Sequence, residues 1–154
     1  MDILAHALYG VTVCSRAGLA GGREGTRGTR LWREPTAWWA LAFGLLPDVV
    51  SMWIPFLFHV VSGADGNFFR HFDGGWLTVY RVMHSLVISL AVAGLLRTWR
   101  PRLFAASLAW PLHVMMDAVS HSDGKFQTLL FYPFSDWGIN GIAWWQHREF
   151  FLGY

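Results

Sequence analysis

Four apolar runs separated by polar, glycine-rich segments set the pattern of this chain. Residues 1–20 read as a short apolar helix that carries Asp2, His6 and Cys14. Residues 36–61 form a longer run interrupted by Pro47 and Pro55, and residues 77–97 and 103–120 supply two more. Three of the runs approach the roughly 20 residues that a helix needs to cross a bilayer. Between them lie AGLAGGREGTRGTRLWRE and SGADGNFFRHFDGGW, whose glycines, polar residues and charges predict loops. After residue 120 come a Gly-containing loop, the apolar patch TLLFYPF and an aromatic stretch around IAWWQHREFF. The expected fold is a single all-α domain over residues 1–154. It is a polytopic membrane bundle of four helices, or five if 137–152 also crosses. A soluble helical bundle is the competing reading, because His and Asp interrupt the apolar runs.

Composition favours the membrane. The 154 residues are 54% hydrophobic and include ten Trp and twelve Phe, more aromatic surface than a soluble domain of this size hides easily. Trp and Tyr also suit the headgroup level of a bilayer. The net charge of +2 gives no case for nucleic acid, and a lone cysteine, Cys14, excludes an intrachain disulfide. No basic segment precedes the first apolar run, so a cleavable signal is not expected.

Arginine placement sets an expected orientation. Arg16, Arg23, Arg27, Arg30 and Arg33 fill the first loop, and Arg97, Arg100 and Arg102 the third. By the positive-inside rule these loops face the cytoplasm, leaving the N-terminus and the 62–76 and 121–136 loops outside.

Ionisable groups inside these runs are the candidate chemistry, because such groups are costly in lipid and mark functional sites. They are His6, Asp48, His84, His113 and Asp117. Counted from the nearest basic boundary, His6 lies ten residues from Arg16 and Asp48 fifteen from Arg33; His84 lies thirteen from Arg97 and His113 eleven from Arg102. At 1.5 Å per residue, all four fall roughly 15–22 Å above the cytoplasmic edge. Four ligands from four segments at one depth predict a shared site in the outer half of the membrane.

His113 and Asp117 stand four apart and share a helix face, which His121 extends; Asp2 and His6 repeat the spacing. Imidazole with carboxylate and no thiolate suits zinc ahead of manganese, iron or nickel. Pro47 is expected to loosen the helix before Asp48 and help aim its carboxylate inward. Arg81, one turn before His84, could pair with Asp48 or hold an anionic group such as phosphate, and Ser85 could donate to the site from behind. Structural readings stand beside these. Asp48 could cap a half-helix, and His113 with Asp117 could tie helices together as a buried pair. Arg81 could snorkel to the outer interface, and His59, His71 and His147 are expected to be structural.

The ordered segments Met1–His6, Gly44–Asp48, Arg81–Ser85 and His113–Asp117, followed by Gly124 and Pro133–Phe134, resemble the bacterial inner-membrane metal-dependent hydrolases, some of them LexA-regulated. That resemblance covers nearly the whole chain and implies a multi-pass protein of the cytoplasmic membrane. The order His, Asp, His, His-x-x-x-Asp is also similar to zinc-dependent phospholipase C and P1-type nucleases. It implies metal roles for His6, Asp48, His84, His113 and Asp117, with His121 a further ligand. The tail departs from that class: it holds His147 and Glu149, two apart, in place of a His-x-x-x-Glu. One or two zinc ions are therefore expected rather than three.

Two functions follow. One is a hydrolase acting on a lipid-like phosphodiester or ester at the outer leaflet, with Asp48 or Asp117 as general base and Arg81 steadying the anion. The other is an accessory subunit of a larger membrane complex, with aromatic side chains packed against lipids or partner helices.

Overall fold

The computed structural model describes residues 3–24 and 33–143. Asp2, Arg27, Arg30, His147, Glu149 and the predicted 137–152 segment beyond residue 143 lie outside the described residues. Eight α-helices occupy the described part: α1 Ile3–Cys14, α2 Pro35–Asp48, α3 Ile54–Val61, α4 Phe68–His71, α5 Gly74–Met83, α6 Leu86–Trp99, α7 Pro101–Ser107 and α8 Ala109–Ser120. A short 3-10 helix, Leu19–Glu24, follows α1. Among the described residues the only strand-like pairing is one antiparallel bridge between Leu129 and Gly138.

The helices join into the expected apolar segments. Ile3–Gly21, Pro35–Val61 and Pro101–Ser120 are each long and apolar enough to cross a membrane. The run predicted as one helix over 77–97 is instead two, α5 and α6, bent by 54° at a break holding His84 and Ser85. If that pair crosses as a unit, the count is four. Many large apolar side chains point outward, among them Leu4, Leu8, Trp38, Trp39, Phe58, Leu95 and Trp99, a surface compatible with lipid or with protein partners.

Proline shapes the second segment. Pro47 lies inside α2, and a π-helical turn, Val49–Trp53, joins α2 to α3 just before Pro55. Each proline lacks an N–H and crowds the preceding turn. The wider turn absorbs that misfit, with the Ile54 N–H reaching back five residues to the Val49 carbonyl. Such turns cluster at functional sites, and this one begins beside Asp48.

Small residues let the helices approach closely, as membrane interfaces favour. Cys14, Ala40, Ala106 and Ala109 form one buried cluster across α1, α2, α7 and α8. At the α1–α2 crossing, a Cβ on Gly44 would stand 3.0 Å from the His6 carbonyl oxygen, and one on Gly10 would stand 3.1 Å from that of Ala40. This contact brings the first turn of α1, and His6 with it, against α2 beside Asp48. A second cluster, Trp110, Val114, Ala118 and Leu130, packs α8 against the segment that follows it.

Candidate metal centre

The five predicted residues come from four structural contexts, and the fold brings all five together. His6 comes from α1, Asp48 ends α2, His84 sits at the α5–α6 break, and His113 and Asp117 lie one turn apart on α8. His6, His84, His113 and Asp117 are buried, whereas the Asp48 side chain keeps 18% of its exposure. Access to the cluster is therefore on the Asp48 side.

The break at His84 is built rather than frayed. Ser85 caps α6, its Oγ accepting from the Ile88 N–H at 3.3 Å and donating to the Tyr132 carbonyl at 2.7 Å. The Leu86 and Val87 N–H groups both donate to the Leu130 carbonyl, at 3.0 and 3.4 Å. On the other side, the Trp110 indole N–H donates to the Met83 carbonyl at 2.7 Å. Backbone groups released by the break thus find partners in the 130–132 segment and α8, as buried backbone requires.

Hydrogen bonds then fix the tautomers of two imidazoles. His84 Nδ1 lies 3.0 Å from the Tyr80 carbonyl oxygen, and His113 Nδ1 lies 2.7 Å from that of Gly44. A carbonyl only accepts, so both Nδ1 atoms carry the proton, and in the neutral ring each Nε2 presents a bare lone pair. Those two Nε2 atoms stand 3.3 Å apart. Asp48 Oδ1 lies 3.5 Å from His84 Nε2 and 3.7 Å from His113 Nε2. Asp117 Oδ2 lies 3.3 and 3.2 Å from the same two atoms. Two lone pairs and two carboxylate oxygens converge, and only a proton or a cation between them relieves the repulsion. Asp48, His84, His113 and Asp117 make a group that can hold a metal ion, with ligand atoms all within 4.8 Å of one another. The carbonyl partners of the two Nδ1 atoms are the usual outer-shell arrangement of histidine ligands.

His6 meets the other oxygen of each carboxylate. Its Nε2 lies 3.1 Å from Asp117 Oδ1 and its Nδ1 3.5 Å from Asp48 Oδ2, while its ring stacks on that of His113 with centroids 3.8 Å apart. Neither contact is aligned as a hydrogen bond, so among the described residues both buried ring nitrogens of His6 go without one. A buried imidazole in that condition costs free energy unless something else engages it. His121, just past the end of α8, places Nε2 3.8 Å from Asp117 Oδ1. Burial pushes the His121 pKa down to about 4, so its ring is neutral at ordinary pH.

Not every expectation takes the form predicted. The pairing of Arg81 with Asp48 does not occur: the ion-pair partners of Asp48 among the described residues are His6, His84 and His113. Arg81 sits about 100° around α5 from Tyr80, and it is Tyr80 that lies against His84, rings stacked at 4.1 Å. Ser85, expected behind the site, instead caps α6. His59 makes a long contact of 3.4 Å with the Gly66 carbonyl and packs edge-on against Phe68, in keeping with a structural role. Tyr80 and the Gly44 carbonyl were missed. The i, i+4 spacing of Tyr80 and His84 was the available signal for the first. No family profile, curated protein or solved structure matches the chain.

Proposed function

We propose that the chain is a multi-pass protein of a bacterial cytoplasmic membrane whose buried centre binds zinc and hydrolyses a lipid-like phosphodiester or ester at the outer leaflet. The spacing of the donor atoms carries the zinc part of the reading. Four donors placed 2.0–2.1 Å from a tetrahedral zinc lie about 3.3–3.4 Å from one another. Five of the six donor–donor distances among His84, His113, Asp48 and Asp117 run from 3.2 to 3.7 Å, and the sixth, between the two carboxylates, is within 4.8 Å. An octahedral site at the same bond length would bring neighbouring donors to about 2.9 Å, closer than any of those five.

Four protein donors close a tetrahedral ion, and closed sites are structural whereas catalytic ones keep an open position. The hydrolase reading therefore draws on the second oxygens of the two carboxylates. His6 Nε2 and Asp117 Oδ1, with His121 near, offer fewer than four donors and suit a second ion with room for water or substrate. Bound zinc supplies a lowered water pKa and polarises a phosphoryl or acyl oxygen.

The chain's own residues do the rest. Asp117 gives one oxygen to each donor set and holds the two sets in register. Asp48, alone of the five in keeping some exposure, is the group placed to take a proton from an entering water and pass it outward. Arg81, half-buried on α5 with no ion-pair partner among the described residues, binds the substrate's anionic group. A lipid substrate follows from the setting, since the neighbours of Asp48 that reach the surface, Val49 and Trp53, are apolar. The similarity to inner-membrane hydrolases and zinc phospholipases supports the same reading, and the arginine distribution supports a site toward the outer face.

The closed four-donor set also favours a second reading, in which one structural ion braces an accessory subunit and the aromatic surface packs against partner helices. Turnover decides between them. Protein reconstituted with zinc should cleave a short-chain fluorogenic phosphodiester lipid, and Asp48→Asn should abolish cleavage while the fold persists. Zinc-loaded wild type that cleaves neither phosphodiester nor carboxylic ester lipids would leave the accessory reading standing.

A further inference from the structure

Beyond the ligand residues, one side chain touches two of the imidazoles at once. Tyr80 lies on α5 four residues before His84, is buried, and has no role in the function proposed above. Its carbonyl oxygen accepts from both the backbone N–H of His84, at 2.9 Å, and the His84 Nδ1–H, at 3.0 Å. Its ring lies nearly parallel to the His84 ring, with centroids 4.1 Å apart and an interplanar angle of 22°. Its hydroxyl donates to the Phe126 carbonyl at 2.8 Å, leaving the phenol oxygen to face His121 Nδ1 at a long 3.5 Å. With its proton committed to Phe126, that oxygen can only accept from His121. His121 is then a third imidazole with its proton on Nδ1 and a bare Nε2 turned toward Asp117.

We propose that Tyr80 is the positioning residue of the centre, its ring fixing the plane of His84 and its hydroxyl the tautomer of His121, while the backbone carbonyl at this position holds the His84 proton on Nδ1. It thereby links the two donor sets that Asp117 joins from the other side. The proposal rests on the metal-centre reading for its purpose, but its geometry is a property of the metal-free chain. The tyrosine is itself held by neighbours whose ring contacts among the described residues are to Phe68, Phe69, Tyr80 and each other. Phe72 meets it edge-on at 6.4 Å, and Phe126 does so at 5.4 Å. That separation makes a control available.

The test uses the full chain in detergent, with Tyr80→Leu, Tyr80→Phe and, as a lesion of similar size in the same aromatic group, Phe72→Leu. Long-range 15N–1H spectra of the metal-free protein read the imidazole tautomers. Cobalt titration followed by visible absorption reads the affinity and geometry of the centre. Tyr80→Leu keeps the carbonyl that holds the His84 proton on Nδ1 but removes the stacked ring and the hydroxyl, so it should shift the His84 ring signals, mix the His121 tautomers and weaken cobalt binding by about 10–100-fold, the range for loss of an outer-shell partner. Tyr80→Phe, which keeps ring and carbonyl, should leave His84 unchanged and alter the ring-nitrogen signals of His121 alone. Phe72→Leu should match the wild type in both readouts. A Tyr80→Leu protein with wild-type tautomers and cobalt spectrum overturns the proposal, as does a Phe72→Leu protein that loses both to the same degree. Should the wild type bind no cobalt while Tyr80→Leu still mixes the His121 tautomers and shifts the His84 ring signals, the positioning role stands and the metal reading falls.

Discussion

Asp117→Asn distinguishes a metal centre from a buried ion-pair cluster by its effect on the stability that zinc adds. The side chain is 1% exposed, and its two oxygens stand 3.1, 3.3 and 3.2 Å from the Nε2 atoms of His6, His84 and His113. The amide keeps the shape and removes the charge. If protonated imidazoles paired with this carboxylate to hold the helices together, its loss would leave cations buried without compensation, a cost of about 3–5 kcal/mol. In the metal-free protein a proton takes the ion's place between the lone pairs and the carboxylates, so the variant of a metal centre also bears this cost. What it loses besides is stabilisation by metal. With free zinc at about 100 times the dissociation constant, the wild type gains about 2.7 kcal/mol, and a binding site weakened about 100-fold gains about 0.4. At about 2–4 °C per kcal/mol for a chain of this length, zinc should raise the wild-type midpoint by about 5–11 °C and that of the variant by about 1 °C. Thermal unfolding in detergent, followed by tryptophan fluorescence after chelator and then after excess zinc, measures both quantities. A wild type with no zinc response would refute the reasoning.

Three further predictions concern the frame, the substrate group and the topology. Gly44→Ala puts a methyl 3.0 Å from the His6 carbonyl oxygen and must push α1 from α2; it should cost about 1–3 kcal/mol and lower zinc content, which unfolding and elemental analysis of one preparation will show. Arg81→Ala should leave zinc content unchanged and reduce turnover of anionic phosphodiester lipids far more than that of a neutral ester, whereas equal losses on both would remove Arg81 from substrate binding. Single cysteines placed at Asn67 and Thr98 in a Cys14→Ser background should differ in intact cells, the first labelled by an impermeant maleimide and the second protected; the reverse pattern would invert the orientation.

Much of the site was legible because isolated His and Asp residues in apolar sequence stand out, and residue counting placed them at one depth. Helix existence was legible for the same reason, and the observed segments begin and end within a few residues of the apolar runs. The break at His84 was not legible, because 77–97 carries no proline and its polar residues near the break, Arg81, His84 and Ser85, are too few to divide the run. What stabilises the break comes from elsewhere, from the Leu130 and Tyr132 carbonyls and the Trp110 indole, and sequence alone does not bring those residues to His84. Arg81 shows the complementary failure. Spacing along α5 made both Tyr80 and Arg81 neighbours of His84, and the choice of Tyr80 depended on the buried aromatic group formed with Phe72 and Phe126. The approach of His6 to the carboxylates depended on two glycines whose meaning appears only when α1 and α2 cross.

Metal content is the measurement that bears most directly on this account. Elemental mass spectrometry of the detergent-purified protein, beside a His113→Ala/Asp117→Ala double variant, should find about one or two zinc ions per wild-type chain, in keeping with the donor sets described, and none in the variant. A folded wild-type chain that holds no metal, even after zinc is offered, would contradict it.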